Sequence, residues 1–123
     1  MMTKILIVED EIFIIEALRF LCEAEGWNVA IETDGAEALD RVQDEQPDVL
    51  LLDFMLPNRD GLDILKALRR NDATADLPVL MLTAKGHVRE RNLAELAGVT
   101  CFMTKPFSNA ELIDQLKLML GDR

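Results

Sequence analysis

The chain has 123 residues, half of them hydrophobic and 29% charged, a balance typical of one globular domain and unlike that of a disordered chain. Its formal net charge of -10 disfavours a broad nucleic-acid footprint, because phosphate backbones are bound through excess lysine and arginine. The start "MMTKILIVEDE" is unlike a signal peptide and no apolar stretch reaches membrane-spanning length, so we expect a cytoplasmic protein.

Five short apolar runs are typical of buried strands, and each is followed by a segment with helical periodicity. The predicted strands are residues 4–8, 28–32, 48–52, 78–82 and 100–104. The predicted helices are about residues 12–24, 35–45, 61–71, 87–97 and 109–120, the last with Ser108 as N-cap ahead of Glu111. This alternation predicts an α/β fold in which helices cover both faces of a parallel sheet. No linker or repeat interrupts it, so residues 1–123 are interpreted as one domain.

Acidic side chains follow the first and third predicted strands. Glu9, Asp10 and Glu11 come directly after the first strand, and Asp53 ends the run "VLLLD". Right-handed crossovers place the carboxyl ends of all strands at one edge of the sheet, where ligands of open α/β sheets bind. If the first and third strands are neighbours, Glu9, Asp10 and Asp53 converge there, and their like charges favour a shared cation.

Carboxylate oxygens with no histidine or cysteine nearby suit Mg²⁺ better than zinc. The alternative is that the acids merely begin a helix, whose positive dipole end favours them. Glu11 is expected to do only that. For Glu9 and Asp10, the pairing with Asp53 favours the metal site.

Two more polar side chains follow the later strands, Thr83 in "TAK" and Lys105 in "TKPF". A carboxylate, a divalent cation, a hydroxyl and an ammonium around one crevice form a site for a phosphoryl group. Asp53 is then the nucleophile, and its product is an acyl phosphate. Taken singly, Thr83 also fits an ordinary turn and Lys105 a solvated charge; their position at successive strand ends favours the site.

The segments "VEDE", "LLLDFMLPNRDG", "MLTAK" and "FMTKPF" occur in this order over nearly the whole chain. Together they resemble the receiver domain of two-component response regulators. The resemblance implies a flavodoxin-like, doubly wound sheet of five strands in the order 2-1-3-4-5, with five helices. It also implies a phosphorylation-dependent switch of a phosphorelay, which catalyses only its own phosphorylation and dephosphorylation and is not an enzyme for outside substrates.

The resemblance assigns roles around the acidic cluster. Asp53 resembles the phosphorylated aspartate, and Glu9 and Asp10 resemble the acidic pair that serves Mg²⁺, with Asp10 as a direct ligand. The backbone carbonyl of Met55 resembles the remaining protein ligand. Glu9 stands where many relatives have Asp, so its longer side chain is expected to act through water. Met55 has no polar side chain to position water beside the phosphoryl group, and Lys85 lacks a carboxylate or amide, which predicts slow dephosphorylation.

The resemblance also assigns the switch. Thr83 and Lys105 resemble the switch hydroxyl and the phosphate-binding lysine, and the bond from Lys105 to Pro106 is expected to be cis. Phe102 stands at the aromatic switch position, where inward rotation accompanies phosphorylation. Because phenylalanine lacks a phenol hydroxyl, we expect packing alone to hold the inward state. The expected output surface is the fourth helix, the fifth strand and the fifth helix.

The partners implied are a sensor histidine kinase or a histidine phosphotransfer protein as donor, and a downstream protein or a separate output domain as target. No direct nucleic-acid or membrane binding is expected. A phosphorylation-dependent dimer stays open, although the neutral Thr100 and Cys101 beside the switch disfavour the form that relies on charged pairs. The chain ends soon after its last helix, which favours a stand-alone protein over a receiver cut from a longer regulator.

Three alternatives are weighed against this interpretation. A flavin or nucleotide carrier of the same fold is disfavoured because the acids after the first strand repel phosphate. A phosphohydrolase is disfavoured because Met55 stands where a general acid is needed and no insertion is long enough for a cap. A degenerate scaffold is disfavoured by the intact acidic pair, Asp53, Thr83 and Lys105. The first helix, "IFIIEALRFLCEAEGW", is more apolar than one buried face requires. Burial in the core is favoured there, with a partner-docking patch as the alternative.

Overall fold

The structure is a computed structural model that describes residues 2–84 and 88–121. The strands are β1 Lys4–Val8, β2 Asn28–Glu32, β3 Val49–Asp53, β4 Val79–Thr83 and β5 Cys101–Thr104. The helices are α1 Ile12–Ala24, α2 Ala38–Glu45, α3 Gly61–Arg70, α4 Val88–Leu96 and α5 Asn109–Leu120, and a 3-10 turn, Gly35–Glu37, precedes α2. The predicted start of the fourth helix, His87, lies outside the described residues.

The five strands form one parallel sheet in the order β2-β1-β3-β4-β5, which confirms the predicted order. β1 therefore lies beside β3, with Val8 opposite Leu52. β3 and β4 each extend one residue further than predicted, because Asp53 and Thr83 still pair with the neighbouring strand. The sheet therefore positions the backbone of both residues.

The core lies in two layers, one on each face of the sheet, because successive strand side chains point to opposite faces. One layer joins the sheet to α2, α3 and α4 and includes Leu6, Val8, Leu50, Leu52, Val42, Ile64, Leu65, Leu68 and Ala94. The other joins it to α1 and α5 and includes Ile5, Ile7, Val49, Leu51, Leu18, Cys22, Leu112 and Leu116. This burial on both faces explains the continuous apolar runs of the sequence.

The first helix is only partly buried. Its buried face carries Ile15, Leu18 and Cys22, spaced so that they lie together on the sheet. Phe13 is 86% exposed and Phe20 is 73% exposed. The prediction that the apolar excess of this helix is buried is therefore wrong, because α1 turns one face to the sheet and the phenylalanines project from another.

Side chains cap the N-termini of α5 and α3. The Ser108 hydroxyl accepts a hydrogen bond from the Glu111 N–H at 3.3 Å, which confirms the predicted N-cap of α5. Asp60 caps α3 in the same way, accepting from the Asp63 N–H at 2.8 Å. Within the described residues, none of the helices has the length and apolar character that crossing a membrane requires.

Candidate functional site

The polar residues singled out in the sequence meet at the carboxyl edge of the sheet. Asp53 and Thr83 end β3 and β4, Glu9 follows β1, and Lys105 follows β5. Glu9, Asp53 and Thr83 are buried, and they are the buried polar or charged side chains of residues 2–84 and 88–121. Asp10 is exposed beside them. The buried polar residues among residues 2–84 and 88–121 therefore lie together at this edge of the sheet.

Lys105 joins the acidic residues across the sheet. Its Nζ lies 2.7 Å from Oε1 of Glu9 and 3.4 Å from Oδ1 of Asp53. The Lys105 side chain is only 9% exposed, so water screens these contacts little. The Lys105 ammonium therefore contacts two buried carboxylates, those of Glu9 and Asp53.

Glu9 is held at both ends of its carboxylate. While Oε1 accepts from Lys105, Oε2 accepts the backbone N–H groups of Asp10 at 3.0 Å and Glu11 at 3.1 Å. These bonds order the short connection from β1 to α1. The side chain of an aspartate at this position is shorter, so its carboxylate would reach both the Lys105 ammonium and the loop N–H groups only if the backbone moved.

The environment of Asp53 raises the pKa of its carboxyl to about 7 from the ordinary value of 3.8. Burial is the largest cause and the negative charge of Glu9 the second, and Lys105 opposes them. Burial also disfavours the Lys105 ammonium, but its hydrogen bond to Glu9 and the nearby acids outweigh burial and raise its pKa. Lys105 is therefore a permanent cation, whereas the charge of Asp53 depends on what else enters the site.

Glu9, Asp10 and Asp53 each present a carboxylate oxygen, and these atoms lie within 4.8 Å of one another. The donors are all hard oxygens, which fit Mg²⁺ and are poorly suited to zinc. Burial first and the charge of Glu9 second raise the pKa of Asp53, so a cation bound beside it would stabilise its ionised carboxylate. The residues present therefore fit a divalent cation.

The loop after β3 is held in place by the segment after β2. Met55, which is largely exposed, donates its backbone N–H to Oδ1 of Asp53 at 3.3 Å. Further along the loop, the Asn58 side chain donates to Oδ1 of Asp34 at 2.9 Å, with Asn58 at a φ of +68°. The sequence alone does not predict this pair, because "TDG" and "NRDG" indicate two turns but not that the turns contact each other.

Two glycines allow the backbone to approach closely here. The Gly35 N–H donates to the carbonyl of Pro57 at 3.1 Å, and a Cβ on Gly35 would lie 1.9 Å from the carbonyl oxygen of Arg59. A Cβ on Gly61 would lie 2.1 Å from the carbonyl oxygen of Asp53. Any side chain at either position would force the loop after β3 to move.

Thr83 is fully buried and lies opposite Thr104 in the sheet. Its backbone carbonyl accepts the Lys105 N–H at 2.8 Å, so the end of β4 also positions the lysine. The peptide bond from Lys105 to Pro106 is cis. The second residue after Thr83, Lys85, lies outside the described residues.

Phe102 is 8% exposed and belongs to the core layer under α4. The Arg91 guanidinium lies over its ring, 5.1 Å from the centroid. The expectation that packing alone holds the inward ring stays a prediction, and the guanidinium from α4 is a second contact to be tested beside that packing. Sequence alone gave no signal for this pair, since the rotation of α4 about its axis decides which residue covers the ring.

The sequence model of the response regulator receiver domain family matches residues 5–117 of the chain. The chain belongs to this family. It is thus a receiver domain of two-component response regulators. The chain is 42% identical over 120 residues to the phosphate regulon transcriptional regulatory protein PhoB of Rhizobium meliloti (strain 1021). That alignment covers 98% of this chain and 53% of PhoB, and the chain spans about half the length of the curated relatives it matches.

Solved receiver domains have the same fold. The chemotaxis protein CheY4 of Vibrio cholerae superposes with a TM-score of 0.90 at 30% identity, covering 98% of this chain and 100% of that one. The receiver domain of the sensor histidine kinase PA1611 of Pseudomonas aeruginosa PAO1 gives a TM-score of 0.90 at 27% identity, covering 99% and 100%. The PA1611 domain has a magnesium ion coordinated in its active-site cleft.

Proposed function

We propose that this receiver domain accepts a phosphoryl group on Asp53 and responds by changing its output surface. The observation that carries the proposal is the Asp53 carboxylate, buried at the end of β3 with the Lys105 ammonium 3.4 Å from Oδ1. A buried carboxylate with a raised pKa lowers stability at neutral pH, so a structural role explains it poorly. If Asp53 is instead a nucleophile that acts beside the Lys105 ammonium, both its burial and its position at the edge of the sheet are explained.

The transfer is a substitution at phosphorus. An Asp53 oxygen forms the new P–O bond while the P–N bond of a phosphohistidine breaks, and the bonding electrons leave with the imidazole nitrogen, which takes a proton. The Lys105 ammonium, 3.4 Å from Oδ1 of Asp53, would stabilise the negative charge of the phosphoryl group. The product is an acyl phosphate on Asp53.

Glu9, Asp10 and Asp53 would hold Mg²⁺, with the backbone carbonyl of Met55 as a further ligand. Glu9 already uses both oxygens on Lys105 and the loop amides, which supports Asp10 and Asp53 as the direct carboxylate ligands. When bound, the ion supplies positive charge to the carboxylates and to the phosphoryl oxygens.

The switch is proposed to run from Thr83 to α4. A phosphoryl group on Asp53 adds roughly -1.5 to -2 charge and new acceptor oxygens, which favours states in which the Thr83 hydroxyl turns toward it. Phe102 packs beneath α4 under Arg91, so a shift at the ends of β4 and β5 reaches that helix. The output surface is then α4, β5 and α5.

The phosphoryl group is expected to persist, because the exposed Met55 side chain cannot hydrogen-bond a water for attack on phosphorus. A Met55→Asn variant, followed by the decay of phosphorylated protein in intact-mass spectra, is expected to lose the group faster. An unchanged decay rate would contradict this role of position 55.

Residues 1–123 are proposed to form one receiver domain in the cytoplasm. A sensor histidine kinase or a phosphotransfer protein is the proposed donor, for which the exposed Phe13 and Phe20 of α1 offer an apolar docking surface. The target is a downstream protein or a separate output domain, with no direct nucleic-acid or membrane contact by this domain. A dimer that depends on phosphorylation remains part of the proposal.

The test is the intact mass of the protein after incubation with Mg²⁺ and a small-molecule phosphodonor. Wild type is expected to gain one phosphoryl group, and neither Asp53→Asn nor an EDTA-treated sample is expected to gain any. Addition to Asp53→Asn would place the chemistry elsewhere. No addition to wild type, with a panel of phosphohistidine donors as a second source, would favour a scaffold without phosphotransfer.

A further inference from the structure

A groove of about 370 Å³ runs between α3 and α4. We call it the basic groove, and its lining residues are Lys66, Arg69, Arg70, Leu93, Leu96 and Ala97. It lies where α3 leads to β4 and α4 leads to β5, which is the amino edge of the sheet, opposite Asp53. It is therefore separate from the acidic site.

The two walls of the basic groove differ in chemistry. On α3, Lys66 lies three residues before Arg69 and four before Arg70, so the three cations share one face of the helix. On α4, Leu93 and Leu96 lie three residues apart on the facing wall, and Leu96 is 87% exposed. A ligand in the groove meets positive charge on one side and hydrocarbon on the other.

The positive charge of the groove is not balanced by contacts within the described chain. Among residues 2–84 and 88–121, no carboxylate lies within 4.0 Å of the charged groups of Lys66 or Arg70. Cations in the last turn of α3 do suit the helix dipole, which explains their sign. The dipole does not explain the exposed leucine on the opposite wall.

Arg69 is fixed in position by neutral groups. Its Nε donates to the carbonyl of Gly98 at 2.8 Å and its Nη1 to the carbonyl of Thr74 at 3.1 Å. Burial lowers the pKa of the Arg69 guanidinium, and the charge of Asp76 opposes this only in part. Arg69 is thus a preordered cation, for which an incoming carboxylate would supply missing negative charge.

We propose that the basic groove binds an acidic, amphipathic helix of a partner protein. Apolar side chains of that helix pack on the α4 wall, and an adjacent stripe of carboxylates lies along the α3 wall. A partner helix fits because its side chains repeat at the same spacing as those of the two walls, which are themselves helices. Its apolar and acidic stripes would therefore run along the whole groove. The exposed Leu96 supplies the apolar anchor, and the three cations set the orientation.

A nucleic acid fits less well. The phosphate backbone has no apolar stripe for the exposed Leu96. In a symmetric contact between two copies of this chain, the cations of one groove would face those of the other, which disfavours a second copy. Both occupants are outcomes of the test below.

The experiment measures binding of a fluorescent, capped synthetic helix with a leucine stripe beside a glutamate stripe, by anisotropy. The groove variant is Lys66→Glu with Arg70→Glu, and the matched control is Arg19→Glu with Arg89→Glu, which changes net charge equally at exposed sites outside the groove. The groove variant is expected to lose at least about tenfold in affinity, and the control to change by less than about threefold. A single Leu96→Ser variant, at an exposed position, repeats the test if the double variant does not fold.

Four results would overturn the proposal. The first is an equal loss in the groove and control variants, which would indicate only general charge attraction. The second is equal binding of a peptide with lysine in place of glutamate. The third is displacement of the peptide from wild type by duplex DNA, which would make the site a nucleic-acid site. The fourth is self-association of wild type, measured by light scattering without peptide, that the groove variant abolishes.

Discussion

Glu9 and Lys105, 96 residues apart in the chain, form the closest ion pair of the acidic site, with 2.7 Å between Oε1 and Nζ. Lys105 lies further from Asp53, at 3.4 Å. Glu9 therefore does two things: it positions the lysine and adds negative charge beside Asp53. A variant without the Glu9 charge tests these two effects while Asp10 and Asp53, the proposed direct carboxylate ligands of Mg²⁺, stay in place.

A Glu9→Gln variant keeps the shape of the side chain and removes its charge. We expect its Mg²⁺ affinity to fall by about 10- to 100-fold, because groups that hold and orient a metal site typically contribute this much. Isothermal titration with Mg²⁺ measures the change, and Glu16→Gln, an exposed acid of α1, is the control. Unchanged affinity in Glu9→Gln would show that this carboxylate takes no part in the metal site.

An Asp53→Asn variant is expected to be more stable than wild type without metal, in a way that depends on pH. The folded chain holds the Asp53 proton up to about pH 7, whereas the unfolded chain loses it near 3.8. Wild type therefore loses stability as pH rises through this window, and the loss is complete above it. Asparagine cannot ionise, so the variant escapes the loss.

Urea unfolding in EDTA measures this effect. The free energy of unfolding of Asp53→Asn should exceed that of wild type near pH 8, and the difference should disappear well below pH 3.8, where Asp53 is protonated in both the folded and the unfolded wild type. Adding Mg²⁺ should stabilise wild type and not the variant. Asp44→Asn, an exposed acid of α2, serves as control. A difference between Asp53→Asn and wild type that is the same at every pH would contradict the raised pKa.

A Gly35→Ala variant tests the contact between the two loops. Its Cβ would lie 1.9 Å from the Arg59 carbonyl oxygen, so the loop after β3 must move, and with it the Met55 N–H that bonds Asp53. We expect the free energy of unfolding to fall by about 1–3 kcal/mol and Mg²⁺ affinity to fall with it. Ala36→Ser, which adds an atom at the next, exposed residue, should change neither. Lost stability with unchanged Mg²⁺ affinity would show that this loop does not shape the site.

A double-mutant cycle tests the contact between Arg91 and Phe102. Arg91→Ala, Phe102→Leu and the double variant should give a coupling energy of about 0.5–1 kcal/mol in urea unfolding, the range of exposed cation–π pairs. The same cycle with Arg89→Ala, on the same helix, should give none. Strict additivity of Arg91→Ala and Phe102→Leu would mean that the guanidinium lies over the ring without stabilising it.

The sequence was sufficient for the parts of the fold and site that follow from periodicity and from the parallel sheet. Apolar runs separated by helical segments fixed the strand positions within a residue. The convergence of Glu9, Asp53 and Lys105 followed because parallel strands end at a common edge. The strand order itself came from the family resemblance, since periodicity does not order strands.

The sequence alone did not predict the contacts that depend on the rotation of a helix or the path of a loop. The apolar content of α1 did not say which of its side chains face the sheet, and Phe13 and Phe20 face solvent. The Gly35 contact with Arg59 joins two turns that are distant in sequence. Local propensity carries no information about either, because tertiary packing decides them.

The strand order also has a consequence during synthesis of the chain. Glu9 and Asp53 are synthesised well before Lys105, which follows β5, the last strand in the chain and an edge strand of the sheet. Until β5 docks, two carboxylates that are buried in the finished protein have no ammonium between them, and such a pair favours protonation or water over burial. A nascent or truncated chain therefore has an open, hydrated carboxyl edge. Addition of β5 completes the sheet and brings the Lys105 ammonium to both carboxylates.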